Sequence, residues 1–288
     1  MKAHNYFIST TFHGINNTNF EETVDLVASL NCDGIELGST HCYSDNFERI
    51  ITDKLHNKRI ITHNFFPPSK NRSLVVNLAS IDNDIRQESI NHALQCIEFA
   101  SQIGAEMYTI HPGFLTEVKT SLTNINNYDF TFKQEKVRYE DAFTRLCSSL
   151  DILYDFAKYH NITLAIESEG SLTSPEVLLM ERFDEFDELF SKNSNKIMIN
   201  LNLAHSYFAA KYHNYNLEDF IIKYKDRISA VEISHNNGYS DQHLSLVADS
   251  YIFNYLKYLP DVPHILEFRN THITQLEHSL NLLQSYTC

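Results

Sequence analysis

Short apolar runs and longer stretches of helical periodicity take turns along this chain, eight times over. The apolar runs at 6–9, 34–37, 60–65, 107–111, 163–168, 197–202, 228–234 and 264–269 are short and rich in β-branched residues, which reads as strands. Apolar positions at helical spacing fall at 21–30, 45–55, 85–103, 135–159, 174–190, 217–224, 251–259 and 271–283. Strand followed by helix is the pattern of βα units and a parallel sheet. Eight units predict an α/β fold, a (β/α)₈ TIM barrel, occupying residues 1–288 as a single domain. Two long connections, 66–84 and 112–134, would overhang the mouth and read as lids or binding loops.

In such a barrel the chemistry lies at the C-terminal ends of the strands, and strand alternation selects the side chains that reach it. The stretch 197–210, IMINLNLAHSYFAA, shows this most clearly: Met198, Asn200 and Asn202 share one face, Ile197, Ile199, Leu201 and Leu203 the other, and His205 follows just past the strand. The same alternation points His63, His111, Glu167, Asn202, Glu232 and Glu267 inward, and Arg269 shares the face of Glu267. Asp241 and His243, in the loop after the seventh strand, add two more candidates, and Glu36 ends the second strand.

Imidazole and carboxylate in this number suit Zn²⁺, Mn²⁺ or Co²⁺ better than Ca²⁺. Without a cation, carboxylates brought so close would repel and take raised pKa values. Composition narrows the function further. A net charge of −14 repels phosphate backbones, and no run of Lys or Arg offsets it, so nucleic acid is an unlikely partner. The hydrophobic fraction of 43% is that of a globular protein with a sizeable core. Without a leader-like start or a long apolar span, a cytoplasmic location with no membrane partner is expected. Five cysteines, none in a CxxC pair, read as reduced thiols.

The motifs ThrIleHisProGly at 109–113, AlaIleGluSer at 165–168, Asn202 and His205 before SYFAA, AspGlnHis at 241–243 and LeuGluPhe at 266–268 together resemble the xylose isomerase-like TIM barrels. That superfamily holds sugar and sugar-phosphate isomerases and epimerases together with endonuclease IV. The resemblance implies a divalent metal at Glu167, Asn202, Glu232 and Glu267, where the isomerases carry Glu, Asp, His and Glu. Asn for Asp and Glu for His offset each other in charge, which suggests a rebuilt site. The endonuclease IV branch implies two further metal sets, His63, His111 and Glu167, and His205, Asp241 and His243, both intact. His235 stands where the family often has Asp; with Glu36 and Arg269 it is expected to contact substrate.

Two enzyme classes follow, and a third reading is a barrel that binds sugar without catalysis. The favoured one is a metal-dependent isomerase or epimerase of a small sugar or sugar phosphate, with Glu167 and Glu267 exchanging a proton with substrate. The other is a multi-metal phosphoester hydrolase, supported by the surplus of ligands. A nuclease would also need basic and aromatic groups at the mouth, for which Phe65, Phe66, Lys70 and Arg72 form the compact candidate. The expected partner is a small-molecule substrate, and a homo-oligomer is compatible with this class.

Overall fold

Eight parallel strands close on themselves in the computed structural model, which describes residues 5–13, 19–70, 74–124, 127–132, 135–171, 176–192 and 197–287. In chain order the elements are β1 (Tyr6–Ser9), α1 (Phe20–Ala28), β2 (Gly34–Leu37), α2 (Phe47–Lys54), β3 (Arg59–His63), α3 (Asn83–Gln102) and β4 (Met107–Ile110). There follow β5 (Val118–Asn124), β6 (Asn127–Phe132), α4 (Tyr139–Tyr159), β7 (Thr163–Glu167), α5 (Phe183–Lys192), β8 (Met198–Asn202), α6 (Leu203–His213) and α7 (Leu217–Tyr224). The chain ends with β9 (Ile228–Ile233), β10 (His264–Leu266) and α8 (Ile273–Thr287). Around the barrel the order is β1-β10-β9-β8-β7-β4-β3-β2, so each strand lies beside its sequence neighbour once the β5–β6 hairpin is set aside.

Alternation divides the strand side chains between two cores. Ile8, Ile35, Leu37, Ile60, Tyr108, Ile110, Ile166, Ile199, Leu201, Val231, Ile233 and Leu266 point outward and merge with the apolar faces of the helices. Burying each such side chain contributes about 1.5–3 kcal/mol, which fixes the register that the inward residues inherit. Inside the barrel a separate cluster of Phe7, Ile61, Met107, Ala165, Ala230 and Ile265, with Met198 against it, makes an apolar floor. Gly34 completes it without a side chain: a Cβ there would lie 2.1 Å from the Phe7 ring.

Several expected elements differ. The stretch 203–213, given no helix by the pattern, is α6; Leu203, Ala204, His205, Ser206, Phe208, Ala209 and Ala210 are all buried, so no polar face marks its period. The expected helix over 251–259 is two 3₁₀ turns, Tyr251–Asn254 and Leu256–Tyr258. The expected helix at 174–190 begins at Phe183, and its first two residues lie outside the described ones. Within the connection 112–134 sits the β5–β6 hairpin. In the connection 66–84, Asn77, Leu78 and Ala79 are buried, and Asn77 Oδ1 accepts from the Phe114 amide at 3.0 Å. Gly113 permits that approach, with φ at +106° and Asn77 Oδ1 2.4 Å from where a Cβ would stand. Cys32, Cys42, Cys96 and Cys147 are free thiols. No helix of the described residues is long and apolar enough to cross a membrane.

Candidate metal centre

Two residues beyond the floor on each strand lies a ring of polar side chains: Ser9, Glu36, His63, Thr109, Glu167, Asn200, Glu232 and Glu267. None is more than 4% exposed. Two residues further along come His111, Glu169 and Asn202 on β8 and just past β4 and β7. The expected inward residues therefore converge at one end of one barrel, in two successive tiers. Alternation finds both tiers when it is carried past the strand ends, which is how Glu169, two beyond Glu167, could have been read.

Asn202 organises the centre. Its Oδ1 accepts from the His205 amide at 3.1 Å and caps α6. The Nδ2 is thereby turned inward, donating to Glu167 Oε1 at 3.0 Å and Glu232 Oε2 at 2.8 Å. The amide thus bridges two carboxylates at the position where the resemblance places a metal-binding Asp. Asn200 donates to Glu232 Oε1 at 2.5 Å. Gly170 lets α6 settle here, because a Cβ would stand 2.0 Å from the His205 carbonyl oxygen.

Around this pair the histidines form a connected array. His111 Nε2 lies 3.3 Å from Glu167 Oε2 and 3.2 Å from His63 Nε2, and its Nδ1 meets Glu169 Oε1 at 2.5 Å. His63 Nδ1 contacts Thr109 Oγ1 at 2.8 Å. A second path joins the two candidate catalytic carboxylates. Glu167 Oε1 lies 3.2 Å from His205 Nδ1, and Asp241 Oδ2 lies 3.2 Å from His205 Nε2 and 2.8 Å from His243 Nε2. His243 Nδ1 then reaches Glu267 Oε2 at 3.1 Å. The loop that carries Asp241 and His243 is closed by backbone bonds between His235 and Leu244, and the Arg269 amide donates to the His243 carbonyl at 2.9 Å.

Charge is unevenly shared in this array. Burial pushes Glu36 up to about 8, with the Glu267 charge adding to it. Burial and then the charges of Glu167, Glu267 and Glu36 hold Glu232 well above the usual carboxylate range. Burial would raise Glu167 too, but His111, His205 and His63 outweigh it and keep it well below that range. At Glu267, His243 and Arg269 overcome burial and bring it to about 2. Burial lowers His63 to about 4. His111 is raised to about 9 and His243 to about 8, since neighbouring carboxylates prevail over burial in both. Glu167 and Glu267 are therefore pushed toward the ionised form, and Glu36 and Glu232 toward the protonated one.

The residues present fit a divalent ion. Glu36 Oε1 and Oε2, Glu167 Oε2 and His205 Nδ1 are buried without a hydrogen bond of proper geometry among the described residues. Three groups bring their donor atoms within 4.8 Å of one another: His63, His111 and Glu167; His205, Asp241 and His243; and Glu36, His63 and Glu232. Nitrogen with carboxylate oxygen is the donor set of Zn²⁺, Mn²⁺ or Co²⁺.

The remaining candidates stand further out. His235 packs against Tyr251, ring centroids 5.7 Å apart; Arg269 is exposed beside the mouth. Among the described residues the aromatic and basic group expected of a nuclease is not assembled. Phe66 is fully buried against Phe20 and Phe47, and Lys70 lies over Tyr43 and 3.6 Å from Asp45. Arg72 lies outside the described residues.

Known proteins share this architecture. A crystal structure of a D-tagatose 3-epimerase-like protein superposes with a TM-score of 0.74 at 18% identity, covering 98% of this chain and 97% of that one. A crystal structure of AP endonuclease, family 2, from Brucella melitensis gives 0.66 at 15% identity, covering 98% and 99%. In sequence, an uncharacterized protein of Methanocaldococcus jannaschii, MJ1614, is 27% identical over 182 residues, 63% of this chain. The matched stretch spans 61% of that relative's length. Residues 24–272 match the xylose isomerase-like TIM barrel family over most of the chain, and with the closed barrel just described the chain belongs to that family.

Proposed function

We propose that this chain is a divalent-metal-dependent isomerase or epimerase of a small sugar or sugar phosphate, working by carboxylate-mediated proton transfer. The observation that carries this reading is the pair Glu167 and Glu267. They stand on strands separated by β8 and β9, both are held ionised, and both face the same barrel mouth. Buried carboxylates such as these are suited to take a proton from a carbon beside a carbonyl and return one to it. Two structural neighbours point the same way, being described as a D-tagatose 3-epimerase-like protein and an L-ribulose 3-epimerase.

A bound divalent ion would polarise the carbonyl and hydroxyl of the sugar, making the proton between them more acidic. Glu167, Glu232 and Glu267 would hold the ion, with Asn202 setting the spacing of Glu167 and Glu232. Glu267 takes the proton on one face, and on the other Glu167 returns one that it draws from protonated His205, whose Nδ1 lies 3.2 Å from its Oε1. His243 holds Glu267 by its Oε2, and His205 holds Glu167 by its Oε1. His235 and Arg269 are left for substrate hydroxyls or a phosphate.

A second reading, a multi-metal phosphoester hydrolase, draws on the two intact outer groups, His63, His111 and Glu167 and His205, Asp241 and His243. Burial of Phe66 counts against a nucleic-acid substrate. The test is turnover of protein loaded with Mn²⁺, Co²⁺ or Zn²⁺ on a panel of ketoses, ketose phosphates and a generic phosphodiester. Metal-dependent conversion of a sugar, abolished in Glu167→Gln, supports the first reading. Cleavage of the phosphodiester alone overturns it.

A further inference from the structure

Glu36 has no role in the set that the family resemblance implies, yet it is fully buried at the barrel centre. Ser9 and Glu232 temper its charge, but neither carboxylate oxygen has a hydrogen bond of proper geometry among the described residues. A buried carboxyl group with both oxygens unsatisfied is costly unless a ligand engages it. The donors of Glu36, His63 and Glu232 lie within 4.8 Å of one another, with His63 Nδ1 3.6 Å from Glu232 Oε1.

The trio spans the barrel axis. β3 and β9 face each other, with β8, β7 and β4 between them on one side and β10, β1 and β2 on the other. Asn202 engages Oε2 of Glu232, which leaves Oε1 on the side of Glu36 and His63. Ligands at about 2.0–2.2 Å from a tetrahedral ion stand roughly 3.3–3.6 Å apart, the spacing found between His63 and Glu232. Asn200, bonded to that same Oε1, has its own Oδ1 buried and without a hydrogen-bond partner among the described residues.

We propose that Glu36, His63 and Glu232 form a cation seat on the barrel axis that takes Mn²⁺, Co²⁺ or Zn²⁺. It shares His63 with the His63, His111 and Glu167 group, is separate from His205, Asp241 and His243, and depends on Glu36. The seat rests on the metal dependence of the proposed function and not on its substrate. Thr109 Oγ1, which contacts His63 Nδ1 at 2.8 Å, yields that lone pair to the ion. One consequence concerns His63 itself, whose Nε2 faces His111 at 3.2 Å. A neutral imidazole has one lone pair, so the axial seat and the His63–His111–Glu167 group compete for one ring. A chain with Glu in place of His on β9 can thus hold its ion lower on the axis.

The test compares wild type, Glu36→Gln and His111→Ala, stripped with chelator and titrated with Co²⁺, reading bound ions per chain and the visible Co²⁺ spectrum. Glu36→Gln keeps the side-chain shape and removes the charge. The expected result is the loss of about one ion per chain, or at least a hundredfold weaker binding at one site, in Glu36→Gln. His111→Ala should keep the ion that Glu36→Gln loses. Equal stoichiometry, affinity and spectrum in wild type and Glu36→Gln overturn the seat, leaving metal dependence standing if His111→Ala loses an ion. No ion bound by wild type overturns both. An ion that depends on Glu36 in a protein that turns over no sugar keeps the seat and refutes the proposed function. If Glu36→Gln fails to fold, anomalous scattering from Co²⁺-soaked wild-type crystals decides: a peak within about 2.3 Å of a Glu36 oxygen supports the seat, and peaks only elsewhere refute it.

Discussion

Replacing Asn202 with Asp exchanges one NH2 for an oxygen and leaves nearly everything else in place. The Oδ1 that caps α6 is retained, and Asp caps a helix about as well as Asn. What disappears is the pair of bonds from Nδ2 to Glu167 at 3.0 Å and Glu232 at 2.8 Å. The bond to ionised Glu167 contributes about 1.5–3 kcal/mol and the bond to Glu232, which leans to the neutral form, about 0.5–1.5, so the pair carries roughly 2–4.5 kcal/mol. A third carboxylate between the other two adds repulsion to that loss. At about 2 °C per kcal/mol for a chain of this size, the metal-free melting temperature at pH 8 should fall by roughly 4–9 °C. The loss should shrink toward pH 5, where a protonated carboxyl can donate in place of the amide. Saturating Mn²⁺ should return more stability to Asn202→Asp than to the wild type, because the added charge is a ligand once a cation is present. Calorimetry of chelator-treated protein at pH 5 and pH 8, with and without Mn²⁺, measures all of this. A metal-free variant melting within about 2 °C of wild type at pH 8 would refute the bridging role given to the amide.

Three further outcomes are expected. Glu36 at about 8, His111 at about 9 and His243 at about 8 bind protons more tightly when folded; what Glu36 contributes is full below its usual 4.5, and what the histidines contribute below 6.5, and all of it is lost as pH rises through the folded values. Metal-free stability should therefore decline from pH 6.5 to pH 9 while the gain from added Zn²⁺ grows, and urea titrations showing stability rising over that range would contradict the assignment. Glu267→Gln should lower turnover by about a thousandfold or more, against about 10–100-fold for His243→Ala, which loses the contacts that hold Glu267 and Asp241, or roughly 1.4–2.8 kcal/mol of barrier; equal losses in steady-state assays would shift the chemistry toward Asp241 and its histidines. Gly170→Ala should cost about 1–3 kcal/mol in denaturant unfolding, since its Cβ meets the α6 backbone, and an unchanged midpoint would mean α6 is free to move.

How much of this was legible in the sequence depends on whether a residue sits in a period. The strands were, because outward Ile, Leu and Val alternate with inward residues, and that alternation also located His63, Glu167, Glu232 and Glu267. α6 was not, since a helix buried on every side from Leu203 to Ala210 has no polar stripe. The β5–β6 hairpin escaped because a two-stranded ribbon outside the barrel needs no apolar face. Asn202 could be placed but not understood: nothing in the sequence shows that its oxygen caps a helix and its nitrogen bridges two carboxylates. Glu169, two residues beyond Glu167, was within reach of the alternation had the strand been read one step further. Phe66 looked like a mouth aromatic, yet it joins Phe20 and Phe47 in the core, a contact between residues distant in sequence that no local pattern encodes.

Proton transfer at carbon is the central claim, and hydrogen exchange with solvent tests it most directly. Protein loaded with Mn²⁺ or Co²⁺ is incubated in D₂O with a panel of ketoses and ketose phosphates, and each sugar is examined by NMR for deuterium at the carbon beside the carbonyl. The account predicts incorporation into at least one sugar, lost on chelation and in Glu267→Gln. No exchange into any sugar, from a protein that retains its metal and cleaves a phosphodiester, would contradict it.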